Sequence, residues 1–374
     1  MSLLAARDIT VGECYNRHMF KDKIVAAVRL LALAGLCSGL ASCWYVTQAA
    51  SFLGERLSAR ELSVVAAADD ADERLQTFVE QVSAIRDYAS SAVGLEPTRN
   101  YTRYVVLDRN YVALVVSACA PDSFERHYWQ YPFLGALPYK GFYKAADAQA
   151  EAARLREHGL DVIVRPVDAF SSLGWFRDPL YSFMLDYDED MLAELIFHES
   201  AHATLFIKGA DQFNEEFATY VGRMATLAFL TERYGPGNPI LQVRDERARN
   251  RQLFTDWLGE TARQLELVYQ DPGLTSQAVQ AAKQRILSER AQAYRENAAT
   301  LFSLPHYLDF DMDQINNAFL DLYRLYEDDL SLYEAWFERK ADRSLPLFVS
   351  SLAELAAEHG GAIKQLMAEF LAGD

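Results

Sequence analysis

His198 and His202 stand four residues apart in the run Phe197-His198-Glu199-Ser200-Ala201-His202. On a helix that spacing places both imidazoles on one face, one above the other. Two ring nitrogens so placed can reach a single metal ion at about 2.0–2.1 Å. Glu199, one residue further on, is turned about 100° around the axis. It can act on a water beside the ion without becoming a ligand, as general-base chemistry requires. A catalytic zinc takes three protein ligands, so the pair needs a third. After Lys208-Gly209 the chain reads Asp211-Gln212-Phe213-Asn214-Glu215-Glu216-Phe217. This predicts a second helix with two carboxylates in its first turn, and a short αα-hairpin would return that turn to the histidines. Glu215 or Glu216 would then complete a site for one zinc ion.

The elements that must position this chemistry follow from periodicity. Asp188 or Asp190 is placed to cap the helix carrying the histidines, which should run to about Ile207, with Gly209 ending it. From Glu189 onward the pattern is almost wholly helical, with breaks at Gly235-Pro236-Gly237, Asp271-Pro272-Gly273, Pro305 and Arg343-Ser344. Residues 60–95 are also helical in character, with Leu75, Phe78, Val82, Ile85 and Ala89 at three- and four-residue spacing. Between these lies a β-containing part. Tyr101–Leu107 and Tyr111–Val116, around Asp108-Arg109-Asn110, read as a β-hairpin. Ala145–His158 reads as a helix stopped by Gly159, Val162–Pro166 as a short strand, and Phe170–Trp175 and Leu180–Leu185 as strand or loop pieces. The expected fold class is α+β and mostly α-helical, a small N-terminal β-containing part packed on a large helical body.

Composition narrows the function. Over 374 residues the formal net charge is −17, which leaves no excess of Lys and Arg to neutralise phosphates and argues against a nucleic-acid partner. At the N-terminus, Arg17, Lys21 and Lys23 precede an apolar run from Ile24 to Leu40 that ends in Leu40-Ala41-Ser42-Cys43. A basic region, a short apolar stretch and small residues at the end describe a secretory signal over residues 1–42. The alternative is an uncleaved membrane anchor. Met19-Phe20-Lys21-Asp22-Lys23 is the expected true start, because residues 1–18 are mixed and include Asp8 and Glu13. After removal of the leader, residues 43–374 are expected to form one domain. Cys119, inside the apolar stretch Val112–Ala120, is expected to be a core thiol.

Several of these features carry resemblances. The end of the leader resembles a bacterial lipobox, which implies cleavage before Cys43 and lipidation of that residue. Trp44, rather than Asp, follows it; by analogy with lipoprotein sorting this implies the periplasmic face of an outer membrane. His-Glu-x-x-His followed by Asn214-Glu215-Glu216-Phe217-Ala218 resembles the gluzincin peptidases, and the resemblance makes Glu215 the third ligand over Glu216. The sequence departs from thermolysin-like enzymes in the gap of twelve residues between His202 and Glu215, which is shorter, and in Thr219, where those enzymes carry an acidic residue.

More widely, the chain looks like the bacterial predicted-aminopeptidase lipoproteins. The match rests on Tyr45 and Gln48 after the lipobox, on Pro132-Phe133 through Tyr139-Lys140-Gly141-Phe142-Tyr143, on Ser171 through Pro179, and on Asn316-Asn317-Ala318 with Tyr326. It implies a zincin-like body that hydrolyses peptides as an aminopeptidase. The Gly-x-Met-Glu-Asn motif of other gluzincin aminopeptidases is absent, so exopeptidase and endopeptidase modes both stay open. Tyr326 is the candidate oxyanion donor ahead of Tyr220, Tyr307 and His306. Gly174-Trp175 could lie as an extended edge beside a bound peptide. Glu216 could meet a substrate ammonium, and Asn317 is a further substrate-binding candidate. The rival readings are a non-catalytic, metal-containing envelope lipoprotein that acts by binding, and a hydrolase of non-peptide amides. If the leader is read correctly, N-terminal sequencing of an unprocessed Cys43→Ala precursor gives Met19 as its first residue.

Overall fold

The computed structural model describes residues 44–68, 72–131, 135–168, 177–325 and 330–372. The leader, Cys43, Gly174, Trp175 and Tyr326 lie outside the described residues, as do Pro132 and Phe133. The chain divides into two compact units, Met1–Leu57 and Ser58–Asp374. In the first, the run after Cys43 forms α1 (Trp44–Ser58), none of whose residues is buried. No helix among the described residues is long and apolar enough to cross a membrane.

The second unit begins with β1 (Arg60–Glu61), α2 (Leu62–Ala66) and α3 (Glu73–Ser91). Apolar spacing decides α3, whose Phe78, Val82, Ile85 and Ala89 are all buried along one face. Asp72 caps it by accepting from the Leu75 amide at 2.8 Å. Strands β2 (Arg103–Val105), β3 (Ala113–Cys119), β4 (Trp129–Tyr131), β5 (Gly135–Leu137) and β6 (Tyr139–Phe142) follow. After them come α4 (Ala145–Glu157), β7 (Asp161–Val167) and β8 (Leu180–Tyr181).

The expected hairpin of Tyr101–Leu107 on Tyr111–Val116 does not form. β2 pairs antiparallel with β1 and parallel with β8, whereas β3 is the centre of a separate sheet in the order β6-β3-β7. Burial explains the split. Ala113 to Val116 are buried without alternation, so both faces of β3 need cover and both edges need partners. Cys119, at its end, is buried, and burial pushes its thiol up to about 12, so it is inert as expected.

From Glu189 the described chain is helical: α5 (Glu189–Thr204), α6 (Asp211–Tyr234), α7 (Pro239–Tyr269), α8 (Ser276–Leu301), α9 (Pro305–Leu308), α10 (Asn317–Leu325), α11 (Ser331–Arg339), α12 (Leu345–His359) and α13 (Ile363–Ala372). The architecture is therefore mostly helical α+β; breaks fall at 235–237, 271–273, before Pro305 and at 343–344 as expected, and further breaks, not expected, separate Leu308 from Asn317 and fall at Gly360. Two boundaries differ from expectation. α5 stops at Thr204 because Leu205 is extended, with φ −138°, and Gly209 belongs to the turn beyond, at φ +81°. That left-handed backbone is one that glycine adopts without a Cβ penalty. Because α6 begins at Asp211, Glu215 and Glu216 fall in its second turn rather than its first.

One core unites α3, α5, α6 and the C-terminal helices α11 to α13. A second, built from Phe254, Leu258, Tyr294, Phe302 and Leu320, holds α7, α8 and α10 together. The sheet with β3 is tied to this second cluster by charge. Lys283, 3 % exposed, donates to Asp161 Oδ2 at 2.6 Å and to the Pro121 carbonyl at 2.8 Å. The same Asp161 oxygen accepts from the Asn317 amide at 2.8 Å. Removing one partner of such a buried pair strands the other charge. Asp161→Ala is therefore expected to lower stability by about 3–5 kcal/mol in urea unfolding, with Lys283→Met less damaging than Asp161→Ala.

Candidate metal centre

α5 carries two functional faces. Leu192, Ala193, Ile196, Phe197 and Ala201 are buried in the core. His198 and His202 lie on the adjacent face, opposite the N-terminal half of α6. The ring atoms His198 Nε2 and His202 Nε2 are 3.2 Å apart, and Glu215 approaches them from α6 at 3.8 Å and 3.5 Å. Ligands at about 2.0–2.1 Å around a tetrahedral ion would be separated by about 3.3–3.4 Å, so these spacings fit zinc geometry. Two imidazoles and one carboxylate are also a donor set that zinc accepts. Among the described residues, His198, His202 and Glu215 are the group of this kind able to hold a metal ion.

Electrostatics prepares two of these groups, His198 and Glu215. Burial, with His202 and Arg223 nearby, pushes the His198 pKa down to about 4 against the pull of Glu215 and Glu194. His198 is thus neutral near pH 7, as a metal ligand must be. The hydrogen bond with His202 holds the Glu215 carboxyl below its ordinary value, which keeps it anionic. His202 is 7 % exposed, His198 25 % and Glu215 52 %, so the cluster opens to solvent on the Glu215 side. Glu199 is half-buried on α5, with Oε2 shielded from solvent.

Three devices set the approach of Glu215. The first is Asn214, 1 % exposed, whose Nδ2 donates to the Ile207 carbonyl while its Oδ1 accepts from the Ile207 amide, both at 2.8 Å. One side chain thereby fastens the α5–α6 turn immediately before the ligand. Glu216 supplies the second. It is 2 % exposed and accepts from Lys364 Nζ at 2.7 Å, from Tyr333 OH at 2.9 Å and from Gln212 Nε2 at 2.8 Å. Its carboxylate is fully engaged inside the protein, so the expectation that it meets a substrate ammonium is corrected: it anchors α6 to α11 and α13. The third is Gly222, two turns beyond Glu215. A methyl there would lie 3.2 Å from the Glu194 carbonyl oxygen and 3.3 Å from His198 Cβ. Only glycine lets the two backbones approach this closely at the level of His198.

The N-terminal turn of α5 is fastened as well. Asp188 occupies the cap position without a side-chain cap bond. Arg247 of α7 instead donates to both oxygens of Asp190, at 2.6 and 2.7 Å, and to Asp188. Glu189 is held by Arg233 at 3.3 Å and by Tyr234, both at the end of α6.

The remaining candidates fall elsewhere. Asn317 is fully buried, its amide donating to the carbonyls of Ala120 and Ser123 at 2.9 Å and accepting from Tyr269 at 2.8 Å. It has no surface to offer a substrate, and it ties α10 to the loop after β3. Tyr220 is buried among Tyr333, Phe337 and Phe348 and donates to Glu334 at 3.1 Å. Tyr307 packs on Phe254 and Phe302 in the second cluster, and His306 is exposed. Asn214, Gly222 and Lys364 are the residues that sequence reasoning passed over as positioning groups. A glycine inside a helical pattern, seven residues after a candidate ligand, was a signal for Gly222. Lys364, 148 residues from its partner, left none.

A family model described as "Putative aminopeptidase" matches residues 44–366. No curated protein and no solved structure matches the chain.

Gly222→Ala would force α5 and α6 apart by a few tenths of an ångström at the site. The expected result is affinity of this cluster for a metal ion reduced by about tenfold or more, in line with other changes that disturb ligand support, with the circular dichroism spectrum retained. Chelator competition measures it.

Proposed function

We propose, from the premise that the chain belongs to the family described as "Putative aminopeptidase", that it hydrolyses peptides with one zinc ion held by His198, His202 and Glu215. The observation that carries this reading is the convergence of three ligand atoms from two helices, with spacings of 3.2, 3.5 and 3.8 Å. When bound, zinc supplies a Lewis acid that polarises a carbonyl and lowers the pKa of water. The chain's own groups do the rest. Glu199, next to a ligand but turned off the ligand face, takes a proton from the attacking water and hands it to the leaving amine. A purely structural site has no use for a carboxylate at that place, which favours catalysis over a binding-only lipoprotein. Tyr326 is the proposed donor to the developing oxyanion, and Gly174-Trp175 the proposed edge for an extended peptide.

The same reading places the enzyme outside the cytoplasm. Cleavage before Cys43 and lipidation of that residue would anchor a single catalytic domain, 43–374, at the periplasmic face of an outer membrane. In support, the family match begins at Trp44, the residue after Cys43. The lipid then provides membrane attachment, in keeping with described helices that do not span one.

The test uses a peptide library with the zinc-loaded full chain and its Glu199→Gln variant. Glu199→Gln is expected to keep its zinc and to lose hydrolysis by about 100-fold or more, the scale of general-base contributions. Tyr326→Phe is expected to lower kcat with little change in KM. Stoichiometric zinc without any Glu199-dependent cleavage would instead support the binding-only reading.

A further inference from the structure

A cavity of about 310 Å³ adjoins the candidate metal centre. Its floor is the α5 stripe Met191, Glu194, Leu195 and His198, residues spaced so as to share one helix face, and its far wall is α7. Four guanidinium groups line it: Arg223 from α6, and Arg244, Arg247 and Arg251 from α7. In a chain of net charge −17, such a concentration of arginine has to be explained locally.

Most of the cleft's charge is balanced internally. Asp190 takes Arg247 on both oxygens, Glu194 accepts from Arg251 at 3.2 Å, and Asp168 accepts from Tyr187 OH at 2.7 Å. Arg244 is different. Its side chain is 14 % exposed, and its Nη2 donates at 2.7 Å to a neutral group, the Arg223 carbonyl. Its Nε is buried with no hydrogen-bond partner among the described residues. Among the described residues, the carboxylate paired with it is the exposed Asp245 at 3.8 Å, beyond hydrogen-bond reach. A guanidinium cannot shed its proton to escape burial, so it holds a fixed positive charge whose fork suits a carboxylate.

We propose that this cleft is a carboxylate-binding subsite, anchored by Arg244, that selects peptides carrying a carboxylate close to the scissile bond. The proposal rests on the peptidase reading above and gives it a substrate class. Two sources share the chemistry: the C-terminal carboxylate of a short peptide, and an Asp or Glu side chain in a longer one. A volume near 310 Å³, at the low end for ligand pockets, suits a peptide terminus better than a long segment.

Equilibrium binding separates the possibilities, measured by calorimetry on the zinc-loaded full chain carrying Glu199→Gln. The probes are trialanine as the free acid and as its C-terminal amide, with Ala-Glu amide against Ala-Gln amide as the side-chain arm. The acid is expected to bind about tenfold more tightly than the amide, the scale of one charge-assisted hydrogen bond. Adding Arg244→Gln is expected to erase that preference, and Arg244→Lys, which keeps the charge, to recover part of it. A preference confined to the Glu/Gln pair assigns the subsite to acidic side chains. Equal affinities within both pairs, or a preference that survives Arg244→Gln, overturns the subsite. Acid-selective binding with no turnover of any peptide by the unmodified enzyme sinks the peptidase reading and leaves the subsite standing. Equal turnover and equal binding of acid and amide, and of the Glu and Gln peptides, does the reverse.

Discussion

The candidate metal centre depends on how closely two helix backbones can approach. His198 and His202 belong to α5 and Glu215 to α6, so their ligand atoms converge only when the helices pack with almost nothing between them. Gly222 is the point of that contact, where even a methyl group would press on the backbone and side chain of His198. Around this contact the chain fixes each remaining degree of freedom. Asn214 closes the turn, Glu216 ties α6 to the C-terminal helices, and Arg247 with Arg233 secures the first turn of α5. A ligand set built across two elements needs such support, since small displacements of a ligand weaken metal binding disproportionately.

Charge is distributed to serve the same end. Acidic residues in the first turn of α5 suit the helix dipole, but here they also form the sockets for arginines from α6 and α7. Arg247 lines the cleft beside His198, together with Arg223, Arg244 and Arg251. An acidic chain thus gathers four arginines, two of them paired with carboxylates of α5 or its cap, beside the candidate metal site.

Much of this was legible in the sequence. The four-residue spacing of His198 and His202 fixed their common face, and the helix after Gly209 brought Glu215 to them. The buried stripe of α3 and the punctuation of the helical region by Gly and Pro were also readable, because both are local and periodic. The β-hairpin was misread because turn chemistry is local while pairing is not: the double-sided burial of β3 required partners from residues 139–142 and 161–167. Glu216 was misread for the same reason. Its neighbour in sequence suggested a place in the site, but Lys364 and Tyr333, far along the chain, turn it into the core. Asn317 likewise belongs to packing between α10 and the β3 loop.

The proposed site is a zinc ion bound by two imidazoles and one carboxylate. X-ray absorption at the zinc edge of the full chain tests it most directly. One zinc per chain, with only nitrogen and oxygen neighbours at about 2.0–2.1 Å, two-imidazole scattering, and loss of the ion in Glu215→Ala are the predicted results. A sulfur neighbour at about 2.3 Å, or a spectrum and zinc content unchanged by Glu215→Ala, would contradict the account.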